Sequence, residues 1–398
     1  MASLSVVIPA YNEEGGIAAI ARRVLAVAGD LREVGVHELE VLVVDDGSQD
    51  QTADAASHVE GVRLVRHERN RGYGAALKTG FHQATGDLIG FLDADGTYPP
   101  ERFPALCALA LNGADLVIGS RMAGADSQMP FTRRIGNLFF AGLLSLLGPK
   151  RVTDSASGMR VFKRDILERL YPLPDGLNLT PVMSVRALHE GIRTAEVPIS
   201  YNERVGRSKL SIVRDGSAFL QSIVWTVLSY NPARVLGALG LAGVGVAAAV
   251  SLGLVAVRLR GVTALGSWGV AAVYGGMLAG VIGISLFGLA STFNYLVALF
   301  HKQPVPKGLF GKPLLDIPIE RHFGWIGLTL FCLGNLAAGT SLFLGLHGWE
   351  VQRLWLYLLG SAMSVLIGVQ MVISWILVRV LGELSQRDAL SYRDIQGV

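Results

Sequence analysis

The chain has 398 residues, 51% of them apolar and only 17% charged, with a formal net charge of +3. The length suits two or more domains, and the charged fraction falls below the ~25% usual for soluble proteins. The arginines cluster without forming a stripe, so no nucleic-acid partner is expected. Two distant cysteines, Cys107 and Cys332, exclude a disulfide framework and a thiolate metal site.

The charge deficit is uneven. Up to about residue 215 the chain reads as an ordinary soluble protein, and beyond about residue 232 charges nearly vanish over long windows. The start, MASLSVVIPAYNEE, lacks the basic head and long apolar core of a secretory leader, so the first half is expected in the cytosol.

In chain order, SVVIPA predicts a strand, and Glu13 to Val27 a helix with Asn12 as its N-cap. LEVLVVDDGS predicts a second strand, with Ser48 or Asp50 capping the next helix, and VRLVRH a third strand. In RNRGYGAALKTGFHQA, Gly72 and Gly74 shape a turn into a helix that carries Lys78 on a solvated face. DLIGFLDAD and ADLVIGSR give the fourth and fifth strands. His67, His82 and His189 show no ligand spacing and read as structural or exposed.

Strands alternating with helical segments predict an α/β domain with a mostly parallel, doubly wound sheet. Continuous apolar strands fit burial on both faces, and ligands then sit beyond the strands' carboxyl ends. The polar clusters fall at those ends: Tyr11 to Glu14, Asp45 to Ser48, Asp93 to Thr97, and Arg121. Two carboxylates one residue apart, Asp93 and Asp95, ionise together only if something positive joins them. Magnesium takes few protein carboxylates and completes its shell with water and phosphate oxygens. The pair therefore points to a metal that holds a nucleoside diphosphate.

VVIPAYNEE, VLVVDDGSQDQT, NRGYGAALKTG, FLDADGTYPP and GSR, in this order and spacing, resemble family 2 glycosyltransferases of the GT-A fold. The D-x-D followed by two prolines, with SGMRVF and RVGRSKL, is similar to dolichol-phosphate mannose synthase and bacterial polyprenyl-phosphate relatives, over roughly residues 3 to 215. The resemblance implies that Pro9, Tyr11 and Glu13 line the base and ribose pocket and that Val44 and Asp46 contact the nucleoside. It implies that Asp93, Ala94 and Asp95 hold Mg2+ or Mn2+ and the diphosphate, and that Arg121 faces the sugar phosphate. Arg204 and Lys209 would close over the diphosphate. Thr97 occupies the position of a further metal-side contact, where relatives often carry the longer Gln. Arg133 or Arg134, with Asn137, would hold an acceptor phosphate.

The expected organisation is a GT-A domain over 1–208, an interfacial segment over 209–232 and an all-α membrane domain over 233–398. Four spans are predicted at about 235–257, 270–297, 326–346 and 354–378, each near the ~20 apolar residues a span needs. Gly276 and Gly280 form a G-x-x-x-G helix-packing pair. Lys302, Lys307, Lys312 and Arg321 follow the second span, and Arg379, Arg387 and Arg393 lie beyond the fourth. The positive-inside tendency then puts the catalytic domain and both termini in the cytosol, which leaves Arg258 and Arg260 outside.

The expected function is an inverting transfer of a hexose from a nucleotide sugar (GDP-mannose or UDP-glucose type) to a polyprenyl or dolichyl monophosphate. Asp95, Arg121 and Asp154 are the catalytic candidates, and a homo-oligomer is compatible with the sequence. One rival is transfer to a lipid hydroxyl with Asp154 as general base. A processive synthase is a poor match, because Gln221-Ser-Ile-Val-Trp225 lacks the arginine of Q-x-x-R-W. A non-catalytic membrane scaffold is disfavoured by the intact charged set.

Overall fold

In the computed structural model of the chain, residues 1–122, 131–147, 153–201, 212–262, 265–301, 322–349 and 351–396 are described. The chain divides into two compact units, Met1–Val227 and Leu228–Val398.

The first unit runs β1 (Ala2–Ala10), α1 (Ile17–Ala26), α2 (Ala28–Glu33), β2 (Val36–Asp45), α3 (Thr52–Ser57), β3 (Val62–Arg66), α4 (Tyr73–Gln83) and β4 (Leu88–Phe91). It continues with α5 (Phe103–Leu111), β5 (Leu116–Ser120), α6 (Phe131–Leu147), β6 (Arg160–Lys163), α7 (Leu167–Leu170), α8 (Leu179–His189), β7 (Thr194–Pro198) and α9 (Ile212–Tyr230). Among the described residues, seven strands form one sheet in the order β3-β2-β1-β4-β6-β5-β7. Every pairing is parallel except those of β6, which runs antiparallel to β4 and β5. The sheet is therefore mostly parallel, as the sequence predicts, and ligands of such sheets sit beyond the carboxyl ends of the strands.

Successive strand side chains point to opposite faces. Val6, Ile8, Val41 and Val43 enter a core with α1, α2 and α5, while Val7, Leu42, Val44 and Phe91 enter a second core with α4 and α8. On that second face Phe81 meets the edge of Phe162 at 5.2 Å and lies 5.6 Å from Phe91. Such aromatic pairs contribute about 0.5–1.5 kcal/mol each beyond area burial.

Several elements differ from the sequence expectations. The first helix begins at Ile17 rather than Glu13, because the Gly15–Gly16 pair favours a turn in which Gly16 N–H donates to the Glu13 carbonyl at 3.0 Å. Asn12 does not cap a helix. It adopts φ 51°, donates its N–H to Ser48 Oγ at 2.9 Å and accepts from Gln49 N–H at 2.8 Å, joining the loops after β1 and β2. Asp50 accepts the Thr52 N–H at 3.0 Å, but the N-cap of α3 is Gln51 and makes no side-chain capping bond, so neither Ser48 nor Asp50 is the helix cap the sequence suggests. Lys78 is not on a solvated face: its Nζ donates to the Leu173 carbonyl at 2.9 Å and pairs with Asp175 at 2.5 Å. Strands β6 and β7 add to the five predicted. They are four and five residues long and carry too little alternation to be read from sequence.

The second unit contains α10 (Pro232–Leu259), α11 (Ser267–His301), α12 (Phe323–Leu346) and α13 (Val351–Gln396). Segments of all four, Pro232–Leu259, Ser267–Val297, Phe323–Leu346 and Tyr357–Leu384, are long and apolar enough to cross a membrane. Asn231 caps α10 by accepting the Arg234 N–H at 3.2 Å, with Pro232 at the first helical position. Lys302, Lys307, Lys312 and Arg321 lie outside the described residues.

Gly276 and Gly280 face α10, where added methyls would meet Val250 at 2.8 Å and Ala247 at 3.1 Å. The tighter crossing is at Gly283, where a Cβ would come within 2.7 Å of Val244 N and 2.8 Å of the Gly240 carbonyl. Small residues at such crossings let backbones pack where no hydrophobic force separates lipid from protein. Gly283→Ala is accordingly expected to destabilise the second unit by about 1–3 kcal/mol through overpacking. A lowered thermal midpoint of the detergent-solubilised protein checks this, and an unchanged midpoint contradicts it.

Candidate active site

The carboxyl ends of β1 and β2 make the first wall. Pro9 pairs in register with Val44, and both are buried. Tyr11 and Glu13 follow in the next loop and are half-buried. Asp46 is buried, and its carboxylate accepts from the Arg71 N–H at 2.9 Å, the Gly72 N–H at 2.8 Å and His67 Nδ1 at 2.7 Å. His67 Nε2 reaches Thr79 at 2.9 Å, which bears out the structural reading of this histidine. Asp46 thus ties the β2 end to the glycine-rich turn before α4.

The loop after β4 makes the second wall. Asp93 Oδ1 accepts from the Tyr73 hydroxyl at 2.8 Å. The whole carboxylate lies against Gly158, where a Cβ would come within 2.5 Å of Oδ2 and 2.6 Å of Oδ1, so only glycine leaves this carboxylate its place. Ala94 is buried between the two acids. Asp95 Oδ1 accepts from the Thr97 hydroxyl at 2.6 Å and the Thr97 N–H at 3.2 Å. The shorter residue at 97 therefore orients Asp95 through its hydroxyl. Among the described residues no cluster of three or more His, Cys, Asp or Glu gathers to hold a metal. Two hard-oxygen carboxylates are nevertheless the donor set that Mg2+ or Mn2+ takes when diphosphate and water complete the shell, and Asp93 and Asp95 fit that role.

The third wall comes from the antiparallel strand. Because β6 starts opposite the ends of β4 and β5, with Arg160 paired to Phe91 and Ile118, the segment before it reaches the same crevice. Arg121 grips Asp154 bidentately, Nε to Oδ2 at 2.7 Å and Nη2 to Oδ1 at 2.8 Å, with its own N–H adding a third bond at 3.0 Å. Its guanidinium sits 5.9 Å from the Tyr98 ring centre and 5.4 Å from that of Tyr201, within cation–π range. Asp154 is fully buried. Burial pushes its carboxyl up, but the Arg121 charge and hydrogen bonds outweigh this and hold it below the ordinary aspartate range. Arg160 is also fully buried and is pulled down to about 10 by burial, against the opposing charge of Asp154. Its Nε and Nη2 donate to the Ser157 and Ser155 carbonyls at 3.1 and 2.8 Å, and Nη1 has no hydrogen-bond partner among the described residues. The Gly158 N–H donates to the Tyr98 hydroxyl at 2.8 Å.

Helix α6 carries the remaining candidates. Asn137 faces inward, buried, with Nδ2 3.4 Å from the Thr153 carbonyl. Ile135, Leu138 and Phe139 face outward and are each more than half exposed, and Arg134 is exposed beside them. Arg133 lies in α6, with its side chain outside the described set. Arg204 and Lys209 also lie outside the described residues. Phe140 of α6 meets Phe219 of α9 at 6.0 Å, and Trp225 of α9 is exposed. Tyr73, Tyr98, Tyr201 and Arg160 were not among the sequence candidates. Three of them left a weak signal: a tyrosine inside a glycine-rich turn, another three residues past the D-x-D, and an arginine closing SGMR.

The sequence profile of Glycosyl transferase family 2 matches residues 5–171, and a Domain of unknown function (DUF8752) matches residues 232–392. The chain is 34% identical over 221 residues to a dolichyl-phosphate hexose transferase of Haloferax volcanii, covering 56% of this chain and 92% of that protein. It is 30% identical over 390 residues to the low-salt glycan biosynthesis hexosyltransferase Agl6 of the same organism, covering 96% and 89%, so the alignment spans both units. Among solved structures, glucosyl-3-phosphoglycerate synthase of Mycobacterium tuberculosis, in complex with Mn2+, UDP and glucosyl-3-phosphoglycerate, shares 24% identity at a TM-score of 0.44, over 57% of this chain and 80% of that one. With four helices of membrane-spanning length among its described residues, the chain belongs to glycosyl transferase family 2 and is a glycosyltransferase.

Proposed function

We propose that the enzyme moves a hexose from a nucleoside-diphosphate sugar to a polyprenyl monophosphate at the cytosolic face of a membrane, with inversion at the anomeric carbon. The observation that carries this reading is the Arg121–Asp154 pair. Its carboxylate is buried, doubly bonded to a guanidinium and held in the charged form, so it is a poor proton acceptor. A lipid hydroxyl would need a base there, whereas a phosphate oxygen is already anionic and needs none.

In this mechanism Pro9, Tyr11, Glu13 and Val44 line the nucleoside pocket. Asp46 shapes its floor by holding the turn before α4. Asp93 and Asp95 would hold Mg2+ or Mn2+, which would supply positive charge to the departing diphosphate. Arg121, fixed by Asp154 and flanked by Tyr98 and Tyr201, presents positive charge to the sugar phosphate, and Arg204 and Lys209 supply more. An acceptor phosphate oxygen attacks the anomeric carbon. The bond from that carbon to the diphosphate oxygen breaks, and its electron pair leaves with the nucleoside diphosphate. No proton is transferred, and an α-linked donor yields a β-linked product.

The acceptor side is supported by α6, whose apolar stripe faces out while Asn137 faces in. A soluble helix buries its apolar face, and the reversed arrangement suits contact with a lipid chain while Asn137, with Arg133 or Arg134, receives the phosphate. Segment 209–232 then lies in the headgroup region. Four spans place both termini on one side, and the cytosol is where nucleotide sugars are made. The Haloferax volcanii dolichyl-phosphate hexose transferase supports the same acceptor class by its name.

The test is a transfer assay with purified full-length protein in detergent. GDP-mannose and UDP-glucose are offered with polyprenyl phosphate, dolichol or diacylglycerol. The expected product is an acid-labile lipid-phosphate sugar from the phosphate acceptor alone. Transfer only to the hydroxyl lipids would overturn the reading.

A further inference from the structure

The mechanism above uses Asp93 but not the groups that fix it. Tyr73 is the first residue of α4 and stands inside the glycine-rich turn. Its hydroxyl reaches across from a different strand connection to donate to Asp93 Oδ1 at 2.8 Å. The backbone that carries it is itself anchored: the Ala75 N–H donates to the Asp175 carbonyl at 3.1 Å, and Lys78, one helical turn on, bonds the Leu173 carbonyl at 2.9 Å. Asp46 holds the residues just before it through the Arg71 and Gly72 N–H groups. The tyrosine is therefore delivered by a braced turn and not by a loose loop.

The opposite side of the same carboxylate is closed as well. Gly158 leaves room for the Asp93 carboxylate, since a Cβ there would lie 2.5 Å from Oδ2 and 2.6 Å from Oδ1. Gly158 is held in turn by its N–H bond to the Tyr98 hydroxyl at 2.8 Å. The Tyr73 hydroxyl on one side and the Gly158 backbone on the other together restrict how the carboxylate can turn.

We infer that Tyr73 is a positioning residue that orients the Asp93 carboxylate for the divalent cation. The inference rests on the proposed metal role of Asp93. Hydrogen-bond partners of metal-ligating groups fix the ligand's orientation, and their loss typically weakens metal affinity 10–100-fold. A phenylalanine keeps the ring and removes only the hydroxyl, so Tyr73→Phe isolates this contact.

The experiment titrates Mn2+ into full-length protein in detergent with a saturating nucleoside diphosphate, GDP or UDP, and follows free Mn2+ by its paramagnetic resonance signal. Wild type, Tyr73→Phe and Asp93→Asn are compared. Tyr73→Phe is expected to bind Mn2+ about 10–100-fold more weakly, while its metal-free thermal midpoint and metal-free nucleotide affinity stay at wild-type values. Wild-type Mn2+ affinity in Tyr73→Phe, with binding lost in Asp93→Asn, overturns the positioning role and leaves the metal reading intact. Equal Mn2+ binding by wild type and Asp93→Asn overturns the metal reading itself. A fall in the metal-free midpoint and metal-free nucleotide affinity of Tyr73→Phe would reduce Tyr73 to a packing residue and also overturn the inference.

Discussion

Asp93→Asn or Asp95→Asn should lower turnover about a thousandfold or more, and excess chelator should lower wild-type turnover to a similar level. A metal that polarises a phosphoryl oxygen supplies several kcal/mol of transition-state stabilisation, and each 1.36 kcal/mol is a factor of ten in rate. The two acids are not equivalent in their surroundings. Asp93 is clasped by Tyr73 and Gly158, whereas Asp95 is oriented by its own neighbour Thr97. Either loss nevertheless breaks the same donor pair. The two substitutions together, or one substitution plus chelator, should therefore cost little more than one alone, since groups that act as a unit are strongly non-additive. Initial rates at saturating donor, with and without chelator, decide the matter. Full turnover in excess chelator would remove the metal from the mechanism, and simple multiplication of the two losses would show that the acids act separately.

The sheet was legible because its strands announce themselves. VVIPA, VLVVDD and GFLDAD are apolar runs that stop in polar residues, and a parallel sheet buried on both faces requires that pattern. That Asp93, Asp95 and Arg121 fall at one end of the sheet could be read from sequence for the same reason, since each follows a strand. The partners of these residues could not be read. Asp154 lies 33 positions beyond Arg121, and only the antiparallel insertion of β6 between β4 and β5 brings the two together. Tyr73 lies 20 positions before Asp93 on a different connection, and no local period links them. Asn12 misled in the opposite sense. An asparagine before a helical pattern is a good cap, but the same side chain also tolerates positive φ, and here the tie between two loops prevailed. The membrane helices were the easiest to find, because length and the absence of charge suffice. A close crossing such as that at Gly283 could not be distinguished from the many other glycines until the backbones were in place.

The Arg121–Asp154 pair yields the second large effect, and it separates the two acceptor classes. Arg121→Ala would leave the Asp154 carboxylate buried without its cation. Breaking a buried pair in this way costs about 3–5 kcal/mol of stability, so this variant should unfold at a clearly lower temperature as well as lose transfer. Arg121→Lys keeps the charge but loses the bidentate fork, and it should fold better than the alanine variant while still transferring poorly. Asp154→Asn is the informative change. A positioned general base contributes ~10²–10⁴-fold. With a phosphate acceptor Asp154 acts only through Arg121, and the loss should stay below that range. The pH dependence offers an independent check. The Asp154 carboxyl is held below its unfolded value, ~3.9 for aspartate. Its contribution to stability is therefore complete above about pH 4 and is lost as pH falls through the lower folded value. Asp154→Asn should flatten that acid limb of the thermal midpoint and leave the profile near neutrality unchanged. It should also leave the pH–rate profile between about pH 5 and 8 without a new limb, because a carboxylate already ionised throughout that window has no proton to gain or lose there. A loss of about a thousandfold in Asp154→Asn, well inside the general-base range, together with near wild-type phosphate-acceptor dependence in Arg133→Ala, would instead assign the enzyme to a lipid hydroxyl.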